Sequence, residues 1–255
     1  KKFSNQAVNQ ASINTKSLQS ICIPVPPIEI QNKIVEELDG YQKIIDGCRQ
    51  IIENYKPSID IDPSWEMIEL GQLCSLMTGG TPKTDNKEFY ENGDVPWLVS
   101  GDIHKVEIHN SKKFITKKGL ENSNTKFLPI NSVLIALNGQ GKTRGTVAVL
   151  RMMATCNQSI VSIKPNDEDT LKTEFLYLHL NSIYKNIRNL TGDNQRSGLN
   201  MPIIRKIKIP LAPIEEQIKF INMWNSEKNM ININSKTIDD FQKKIQSRIE
   251  KIWSN

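Results

Sequence analysis

Two stretches of the chain place apolar residues at steps of three and four positions, the spacing of one face of an α-helix. The first stripe comprises Val35, Leu38, Tyr41, Ile45, Cys48, Ile52 and Tyr55. The second stripe comprises Ile221, Trp224, Ile231, Ile238, Phe241, Ile245 and Ile252. Both stripes are narrow, so each helix needs a partner. The pattern predicts an antiparallel, coiled-coil-like pair of helices roughly 40 and 55 Å long. The alternative is that both helices only cap a globular domain.

The residues between the two helices follow a different pattern, because short apolar or alternating runs recur there. Such runs are typical of strands, and they occur at 67–70, 95–99, 133–136, 146–150 and 159–163. Turn-forming stretches separate them, among them Thr78-Gly79-Gly80-Thr81-Pro82. A helix is predicted from Leu171 to about Leu190. The fold class is therefore α+β, with a strand-rich domain flanked by two long helices.

An internal repeat connects the two ends of this architecture. The segment 14–31 recurs as 200–217 at a constant offset of 186 residues, with Ile-x-Ile-Pro, a later Pro-Ile-Glu and a final Gln in register. In each copy a short apolar strand runs into proline, and Pro27 or Pro213 stands where a helix starts. The predicted boundaries are residues 1–27, a first long helix at 28–57, a globular domain at 58–213 and a second long helix at 214–255.

The charge of the chain is concentrated in its middle. The net charge is +5, yet Asp102 to Lys164 holds ten Lys or Arg against three Asp or Glu. Residues 1–57 and 214–255 each hold seven basic and six acidic groups. Clustered positive charge favours a surface that faces a polyanion, with an ordinary solvated surface as the alternative.

Cysteine usage and hydropathy restrict the class of protein further. The four cysteines are far apart, with no CxxC pair and only three histidines, which argues against a zinc cluster or a disulfide framework. No apolar run is long enough to span a bilayer, and no signal peptide is evident. A reduced, cytoplasmic protein is expected. The first residue is Lys, so we expect the chain to begin inside a longer gene product.

Residues 136–143 read AxxxxGKT, which is close to a phosphate-binding P-loop. A P-loop requires a helix after its Lys-Thr, whereas Arg144-Gly145-Thr146 leads into β-branched residues that favour a strand. We therefore predict two strands joined by a glycine-rich connection. A P-loop nucleotide-binding enzyme remains an alternative function.

Other candidate chemistry is better explained by structure. Cys156 could be a nucleophile, but no histidine stands at a recognisable dyad spacing, so a buried structural cysteine is expected. Asp85, Glu88 and Glu91 could ligate a metal, but a solvated polar loop explains them better. The Asn/Asp-Pro-Pro-Tyr/Phe motif of adenine methyltransferases and a strand-linked GxGxxG are both missing.

Several short motifs follow one another along the chain, namely Trp65 to Gly71, Thr78 to Pro82, Gly93 to Leu98, Asn138 to Gly145, Cys156 to Ser159 and the repeated Ile-x-Ile-Pro-x-x-Pro-Ile-Glu-x-Gln. Their order resembles the DNA-specificity subunit of type I restriction-modification systems and related regions fused to adenine methyltransferases. No single motif is specific, but the series in order covers nearly the whole chain. Members usually have two target recognition domains alternating with two long helices. This chain holds one such domain, and residues 1–27 look like the tail of a preceding recognition-type segment.

The resemblance implies a non-catalytic subunit that recognises one half of a bipartite double-stranded DNA site. The long helices would set the spacing to the other half and dock adenine-N6 methyltransferase subunits, and a restriction/translocase subunit would complete the assembly. S-adenosylmethionine, ATP and Mg would belong to those partners, so no cofactor is expected in this chain. Self-association through the long helices, and a pure scaffold without DNA contact, are the open alternatives.

Base reading needs side chains with paired donors and acceptors, namely Arg for guanine and Asn or Gln for adenine. Loops of the recognition domain offer such residues, and a lysine group between them suits phosphates. The candidates are Lys83, Thr84, Asn86, Lys87, Asn138, Gln140, Lys142, Arg144, Asn194, Gln195 and Arg196 in the loops, with Lys112, Lys113, Lys117 and Lys118 on phosphates.

Overall fold

The computed structural model describes residues 5–7, 10–12, 15, 19, 23–55, 59–139, 142–190 and 198–254. The described strands are β1 (Asn5–Ala7), β2 (Gln10–Ser12), β3 (Met67–Glu69), β4 (Cys74–Thr78), β5 (Val95–Leu98), β6 (Glu107–Ile108), β7 (Phe114–Ile115), β8 (Val133–Ala136), β9 (Val147–Leu150), β10 (Thr155–Cys156), β11 (Ile160–Pro165) and β12 (Lys208–Pro210). The described α-helices are α1 (Ile28–Asn54), α2 (Leu70–Leu73), α3 (Lys117–Glu121), α4 (Thr173–Ser182), α5 (Tyr184–Asn189), α6 (Met201–Arg205) and α7 (Ile214–Ser254).

The chain divides into two compact units. The helical unit comprises residues 1–55 and 227–255, and the sheet unit comprises residues 56–226. The helix α7 contributes its first turns to the sheet unit and the rest of its length to the helical unit. The predicted α+β class with two long helices is therefore confirmed.

The helical unit is an antiparallel pair formed by α1 and α7. Tyr41 and Phe241 pack with their rings tilted at 54° and their centroids 5.3 Å apart. Towards the start of α1, Arg248 Nε donates to Glu37 Oε2 at 2.9 Å. Past the end of α1, the Tyr55 hydroxyl donates to Glu227 Oε2 at 2.8 Å. Successive contacts therefore involve higher residue numbers in the first helix and lower ones in α7, which confirms the antiparallel pairing that the apolar stripes predict.

Local chemistry fixes where α1 begins and ends. Pro27 occupies the N-cap position with φ −50° and ψ 148°, and Glu29 lies in the first turn, where the helix dipole favours an acid. The Gln31 side chain reaches back and donates from Nε2 to Pro26 O at 2.7 Å. The helix ends at Asn54, before Pro57, because Tyr55 turns to extended backbone with ψ 127°.

A five-stranded sheet in the order β4-β11-β8-β9-β6 forms the centre of the sheet unit. All four residues of β8 and all four of β9 are buried. In β8, Val133 and Ile135 pack into one core cluster with α4, and Leu134 and Ala136 pack into a second cluster. Both faces of the sheet are therefore covered, which explains why these strands read as continuous apolar runs.

The segment predicted as one helix from Leu171 to Leu190 is two helices, and that prediction is wrong in its continuity. The break falls at Ile183, whose φ of −93° and ψ of 18° are not helical. Just before it, the Ser182 hydroxyl donates to His179 O at 2.8 Å, and the Ile183 N–H donates to the same oxygen at 3.1 Å. A serine that bonds back to a helical carbonyl competes with the backbone ladder.

The first turns of α7 pack into the core of the sheet unit. Trp224 is buried against Tyr177, with ring centroids 5.3 Å apart. Phe220 contacts Trp65 edge-on at 6.3 Å and Phe175 at 6.1 Å. Aromatic pairs of this kind bury a large apolar area at a defined geometry, so the start of α7 is held rigidly in the domain.

Candidate nucleic-acid interface

The strand register gathers several loops at one end of the five-stranded sheet. Val161 in β11 is opposite Thr78 in β4, and Ile160 is opposite Ala136 in β8. Ile135 in β8 is in turn opposite Val147 in β9. The segments 79–87, 137–146 and 157–159 therefore leave or enter the sheet at the same end, and we call them the loop edge.

The connection between β8 and β9 is a hairpin, as the sequence predicts. The Ala136 N–H donates to Thr146 O at 3.0 Å, and the Gly145 N–H donates to Ala136 O at 2.8 Å. Strand β9 then begins at Val147, where a P-loop would begin a helix. The P-loop alternative is therefore wrong, because no helical N-terminus follows Lys142-Thr143 to receive phosphates.

Two carbonyls of this connection accept hydrogen bonds from side chains. The Lys142 carbonyl accepts from the Tyr184 hydroxyl at 2.8 Å and from the Thr146 hydroxyl at 2.7 Å. The Arg144 carbonyl accepts from Arg188 Nη1 at 3.2 Å. Because these carbonyl oxygens accept hydrogen bonds within the domain, the electrostatic potential around the connection is less negative and repels an anion less. The exposed Lys142 side chain extends from this fixed turn.

The segment 79–87 is packed closely against the β10–β11 turn. The Gly80 N–H donates to Cys156 O at 3.0 Å, and a Cβ on Gly79 would lie 1.8 Å from that same oxygen. Only glycine allows this approach. Beyond it, the Thr81 hydroxyl donates to Gln158 Oε1 at 2.6 Å.

The predicted loop candidates fall into three groups. Lys83, Thr84, Asn86 and Lys87 lie together after β4, and all but the half-buried Asn86 are exposed. The Asn86 Oδ1 caps the next turn by accepting from Glu88 N at 3.1 Å. Asn138, Lys142 and Arg144 lie in the β8–β9 connection. Gln140, Asn194, Gln195 and Arg196 lie outside the described residues.

One end of the segment that holds the last three of these candidates is described. Gly198 adjoins Asn138, since a Cβ on Gly198 would lie 1.7 Å from Asn138 Oδ1. The Leu199 N–H donates to Leu137 O at 3.0 Å. The chain after residue 197 therefore returns to the β8–β9 connection at the loop edge.

The four candidate phosphate lysines do not behave alike. Lys118 forms an ion pair with Glu88, which holds the start of α3 beside the 83–87 segment and lowers the pKa of Glu88 through that hydrogen bond and charge. Lys117 is exposed next to it. Lys112 and Lys113 are exposed before β7, where Lys113 O accepts from Trp97 N at 2.9 Å. Within the described part of the chain, no contact joins their ammonium groups to the loop edge.

The structure also places two residues at the loop edge that the sequence did not single out as candidates. Gln158 is exposed in the turn between β10 and β11. His104 lies before β6 and its Nε2 is 3.2 Å from the Thr143 hydroxyl. The parallel pairing of β6 with β9 brings His104 there. Neither residue belongs to a basic run, so only the strand register reveals them.

The burial of Cys156 tests its expected role. Cys156 is fully buried, and burial raises the pKa of its thiol to about 12, although a backbone hydrogen bond from Gly79 opposes the shift. A thiol with that pKa is a poor nucleophile at neutral pH, so the expectation of a structural cysteine is confirmed. Among the described residues, no group of three or more His, Cys, Asp or Glu could hold a metal ion. Within the same ranges, no helix has both the length and the apolar character that a membrane crossing requires.

Comparison with known proteins assigns the chain to a family. Residues 1–54 and 63–251 match the model of the type I restriction modification DNA specificity domain. The chain belongs to this family, as the order of its motifs indicates.

Individual relatives are more distant. The chain is 32% identical over 195 residues to the type I restriction enzyme HindI specificity subunit of Haemophilus influenzae, covering 75% of this chain and 37% of that subunit. It is 24% identical over 240 residues to the EcoR124I/EcoR124II specificity subunit of Escherichia coli, covering 86% and 58% respectively.

Solved structures share the fold. The HsdS subunit of Thermoanaerobacter tengcongensis superposes with a TM-score of 0.56 at 16% identity, over 97% of this chain and 64% of that one. A chain from a structure of type I R-M system assembly superposes with a TM-score of 0.64 at 16% identity, over 96% and 64%. The present chain thus spans less than two thirds of the length of these relatives.

Proposed function

We propose that this chain is the non-catalytic reader of a type I-like restriction-modification complex. It binds double-stranded DNA sequence-specifically and recognises one half of a bipartite site. The observation that carries the proposal is the loop edge, where three segments rich in Asn, Gln, Lys and Arg converge at one end of a rigid sheet in a chain of the DNA-specificity family. Contacts to base edges supply specificity, while contacts to phosphates supply most of the affinity.

The candidate residues divide between these two roles. The side chains with paired donors and acceptors, Asn138, Gln140, Arg144, Asn194, Gln195 and Arg196, read base edges in the major groove. Lysines of the loop edge and of α3 contact phosphates, together with Lys112 and Lys113. The hydrogen bonds to the Lys142 carbonyl support this division. They fix the turn that carries the exposed Lys142 side chain, and they satisfy an oxygen that would otherwise repel a phosphate.

The helical unit acts as a spacer and docking element. The proposed boundaries are a tail at 1–27, a helix at 28–57, a recognition domain at 58–213 and a helix at 214–255. The two long helices fix the distance to a second half-site, dock adenine-N6 methyltransferase subunits, and offer a surface for self-association. Exposed apolar residues on this unit, such as Ile51, Met230 and Ile233, support a docking role.

Exposed apolar residues just before α1 support the assignment of residues 1–27 to a preceding recognition-type segment. Ile23 is 68% exposed and Val25 is 78% exposed, although both are large and apolar. A groove of about 990 Å³ lies between the start of α1 and the end of α7, lined by Val25, Ile30 and Ile34 on one side and Ile252 on the other. Such a surface is typical of a seat for another domain.

In this proposal, partner subunits carry out the catalysis. The methyltransferase uses S-adenosylmethionine, and the restriction/translocase subunit uses ATP and Mg, so this chain binds none of these. The protein acts in the cytoplasm, where the DNA is.

A binding-site selection tests the function. The wild-type chain, alone and with its methyltransferase partner, is incubated with randomised duplexes, and bound sequences are read. We expect one short motif, and affinity for a mixed-sequence duplex that falls steeply with salt. Arg144→Ala should relax the choice of base at one position. Lys142→Ala should weaken all sequences alike and make the salt slope shallower by about 1.

A lysine on the helical unit provides the matched control. Lys43→Ala removes the same charge from α1 and should leave both the motif and the salt slope unchanged. A chain that ignores DNA at low salt, with and without the methyltransferase, would establish the scaffold alternative instead.

A further inference from the structure

Thr81 and Gln158 form an exposed polar pair at the centre of the loop edge. The Thr81 hydroxyl donates to Gln158 Oε1 at 2.6 Å across 77 residues of sequence. Both residues are exposed, and neither belongs to the candidates that the sequence suggests. A glutamine amide that is exposed at the loop edge and held by a hydrogen bond is suited to contact the edge of a DNA base.

The backbone on both sides of Thr81 is fixed. Before it, Gly80 O accepts from the buried Trp97 Nε1 at 3.0 Å and also from the Thr125 hydroxyl. After it, Pro82 O accepts from the Tyr90 hydroxyl at 2.6 Å. Tyr90 and Trp97 in turn pack edge-on, with centroids 6.1 Å apart. The Thr81 hydroxyl therefore has little freedom to move.

The backbone on both sides of Gln158 is fixed as well. The Asn157 N–H donates to Leu98 O at 3.0 Å, and its Oδ1 accepts from Ser159 N at 3.0 Å. The Ser159 carbonyl accepts from Leu137 N at 2.9 Å. Cys156 and Ile160, which bracket this turn, are fully buried. The turn is a rigid mount for one exposed amide.

The pair also lies between the two described groups of candidate residues. On one side, Thr81 is two residues before Lys83, which opens the 83–87 group. On the other side, Ser159 is hydrogen-bonded to Leu137, whose neighbour Asn138 opens the β8–β9 group. A duplex that contacts both groups passes over Gln158.

The chemistry of the fixed amide matches adenine. The hydroxyl of Thr81 uses one lone pair of Gln158 Oε1 and sets the plane of the amide, leaving the second lone pair and both N–H donors of Nε2. The major-groove edge of adenine presents the N6 donor beside the N7 acceptor, which a glutamine amide can engage with both atoms. A phosphate could use only the donors, and it gains more from a cation.

We propose that Gln158 reads an adenine from the major groove, with Thr81 as a positioning residue that orients its amide before DNA arrives. Preorganisation of this kind reduces the entropy lost on binding. The inference rests on the proposed function, since it names the base that the centre of the loop edge recognises.

Site selection with variants tests the proposal. The full chain selects its motif from randomised duplexes, and Gln158→Ala is compared with wild type. We expect one adenine in the motif to lose its preference, with about 5- to 150-fold less discrimination against the other bases. Gln72→Ala is the matched control, because Gln72 is an exposed glutamine just before β4, at the opposite end of that strand. It should keep the wild-type motif.

Base analogues then assign the atoms. Replacing the selected adenine by 7-deazaadenine removes the N7 acceptor and should weaken wild type, but should not further weaken Gln158→Ala. Thr81→Val removes the orienting hydroxyl and should cost discrimination only at that adenine, roughly 3- to 10-fold. Thr81→Ser, which keeps the hydroxyl, should restore it. Unchanged thermal melting of each variant separates these effects from folding.

The outcomes distinguish the inference from the function beneath it. A wild-type chain that selects no motif overturns both. A wild type that selects a motif which Gln158→Ala reproduces overturns only the inference. Equal weakening of every sequence by Gln158→Ala overturns it as well, because the side chain would then contact the backbone of the DNA.

Discussion

The two copies of the internal repeat have the same local structure in different surroundings. In the second copy, Gln217 Nε2 donates to Ala212 O at 2.8 Å, five residues back. In the first copy, Gln31 Nε2 donates to Pro26 O at 2.7 Å, also five residues back. At the offset of 186 residues these two bonds are equivalent. Each links the glutamine amide in the first helical turn to the carbonyl of the residue before the proline that starts the helix, Pro27 or Pro213.

Beyond this bond, the surroundings of the two copies differ. Gln217 is fully buried, and its amide also accepts from Lys172 N at 2.9 Å and donates to Thr170 O at 3.0 Å. Gln31 is half-buried, and the bond to Pro26 is the one hydrogen bond of its side chain to another described residue. Trp224 is 2% exposed, whereas its counterpart Leu38 is half-buried.

The difference separates what the sequence encodes locally from what the domain adds. The prolines, the acidic first turn and the reach of glutamine recur because they depend on a few neighbouring residues. Burial and the further hydrogen bonds require a loop that lies 45 residues earlier in the chain. Substitutions at equivalent positions should therefore have unequal effects, large in the second copy and small in the first.

The largest effect is expected from Trp224→Ala. Removing a fully buried aromatic side chain leaves a cavity against Tyr177, and it should reduce the free energy of unfolding of the sheet unit by about 3–5 kcal/mol. Urea unfolding followed by circular dichroism measures the loss. The matched variant Leu38→Ala should cost about 1 kcal/mol, because its side chain keeps access to water. Equal losses would contradict the comparison.

Gln217→Ala should have the next largest effect. The substitution leaves Lys172 N, Thr170 O and Ala212 O without their partner amide in a buried place, at a cost of about 2–4 kcal/mol. Urea unfolding gives the total, and hydrogen exchange should show the 170–173 segment opening first. Gln217→Glu keeps the shape but loses both donors, so it should also be destabilising. If the variant showed the wild-type rate of hydrogen exchange in that segment, the hydrogen bonds of Gln217 would contribute little to stability.

A smaller effect is expected from the acid sensitivity of the same loop. Partial burial raises the pKa of Glu168, but hydrogen bonds from Lys164 and Thr173 outweigh it and hold the pKa below the ordinary value. A lowered pKa in the folded state contributes stability above the unfolded pKa of about 4.3, and this contribution is lost as the pH falls through the folded value.

Glu168→Gln should therefore make the acid-induced loss of stability shallower below about pH 4.3. The difference should stay under about 1 kcal/mol, because the carboxylate is partly open to solvent. Urea midpoints measured from pH 7 to pH 3 provide the test. Asp39→Asn in α1 is the control for removing one carboxylate elsewhere in the chain. An identical acid profile for Glu168→Gln and wild type would show that this carboxylate does not contribute to the loss of stability at low pH.

The sequence predicts much of the fold because its signals are local. The long helices follow from apolar stripes, and the hairpin at 133–150 follows from β-branched residues that continue after Gly145. The sequence does not predict the break at Ile183, because the break depends on the hydrogen bond from the Ser182 hydroxyl to His179 O. A serine within a helical pattern gives no sign of whether it forms such a bond. The helix α1 ends at Asn54, just before Pro57.

The candidate site was predicted only in part, because its assembly depends on register. Motifs at 78–87 and 138–144 stand out as loops, but their meeting at one end of the sheet follows from β4, β11 and β8 being paired in order. Gln158 lies in the Cys156 to Ser159 motif, but nothing in that motif marks it as a DNA-contacting residue. Its place between two loops arises from the bond to Thr81, and no local pattern encodes a contact across 77 residues.

The smallest effect, and the most informative about the repeat, is expected from Gln31→Ala. The substitution removes one hydrogen bond near solvent and should cost about 0.5 kcal/mol. Because water can satisfy the Pro26 carbonyl, the start of α1 should fray only slightly, which hydrogen exchange over residues 28–34 would measure. Gln42→Ala, at an exposed glutamine further along α1, is the control for loss of helix propensity. A loss as large as that of Gln217→Ala would mean that Gln31 holds a second segment in solution, as Gln217 holds residues 170–172. The two copies would then differ in the partner they hold and not in whether they hold one.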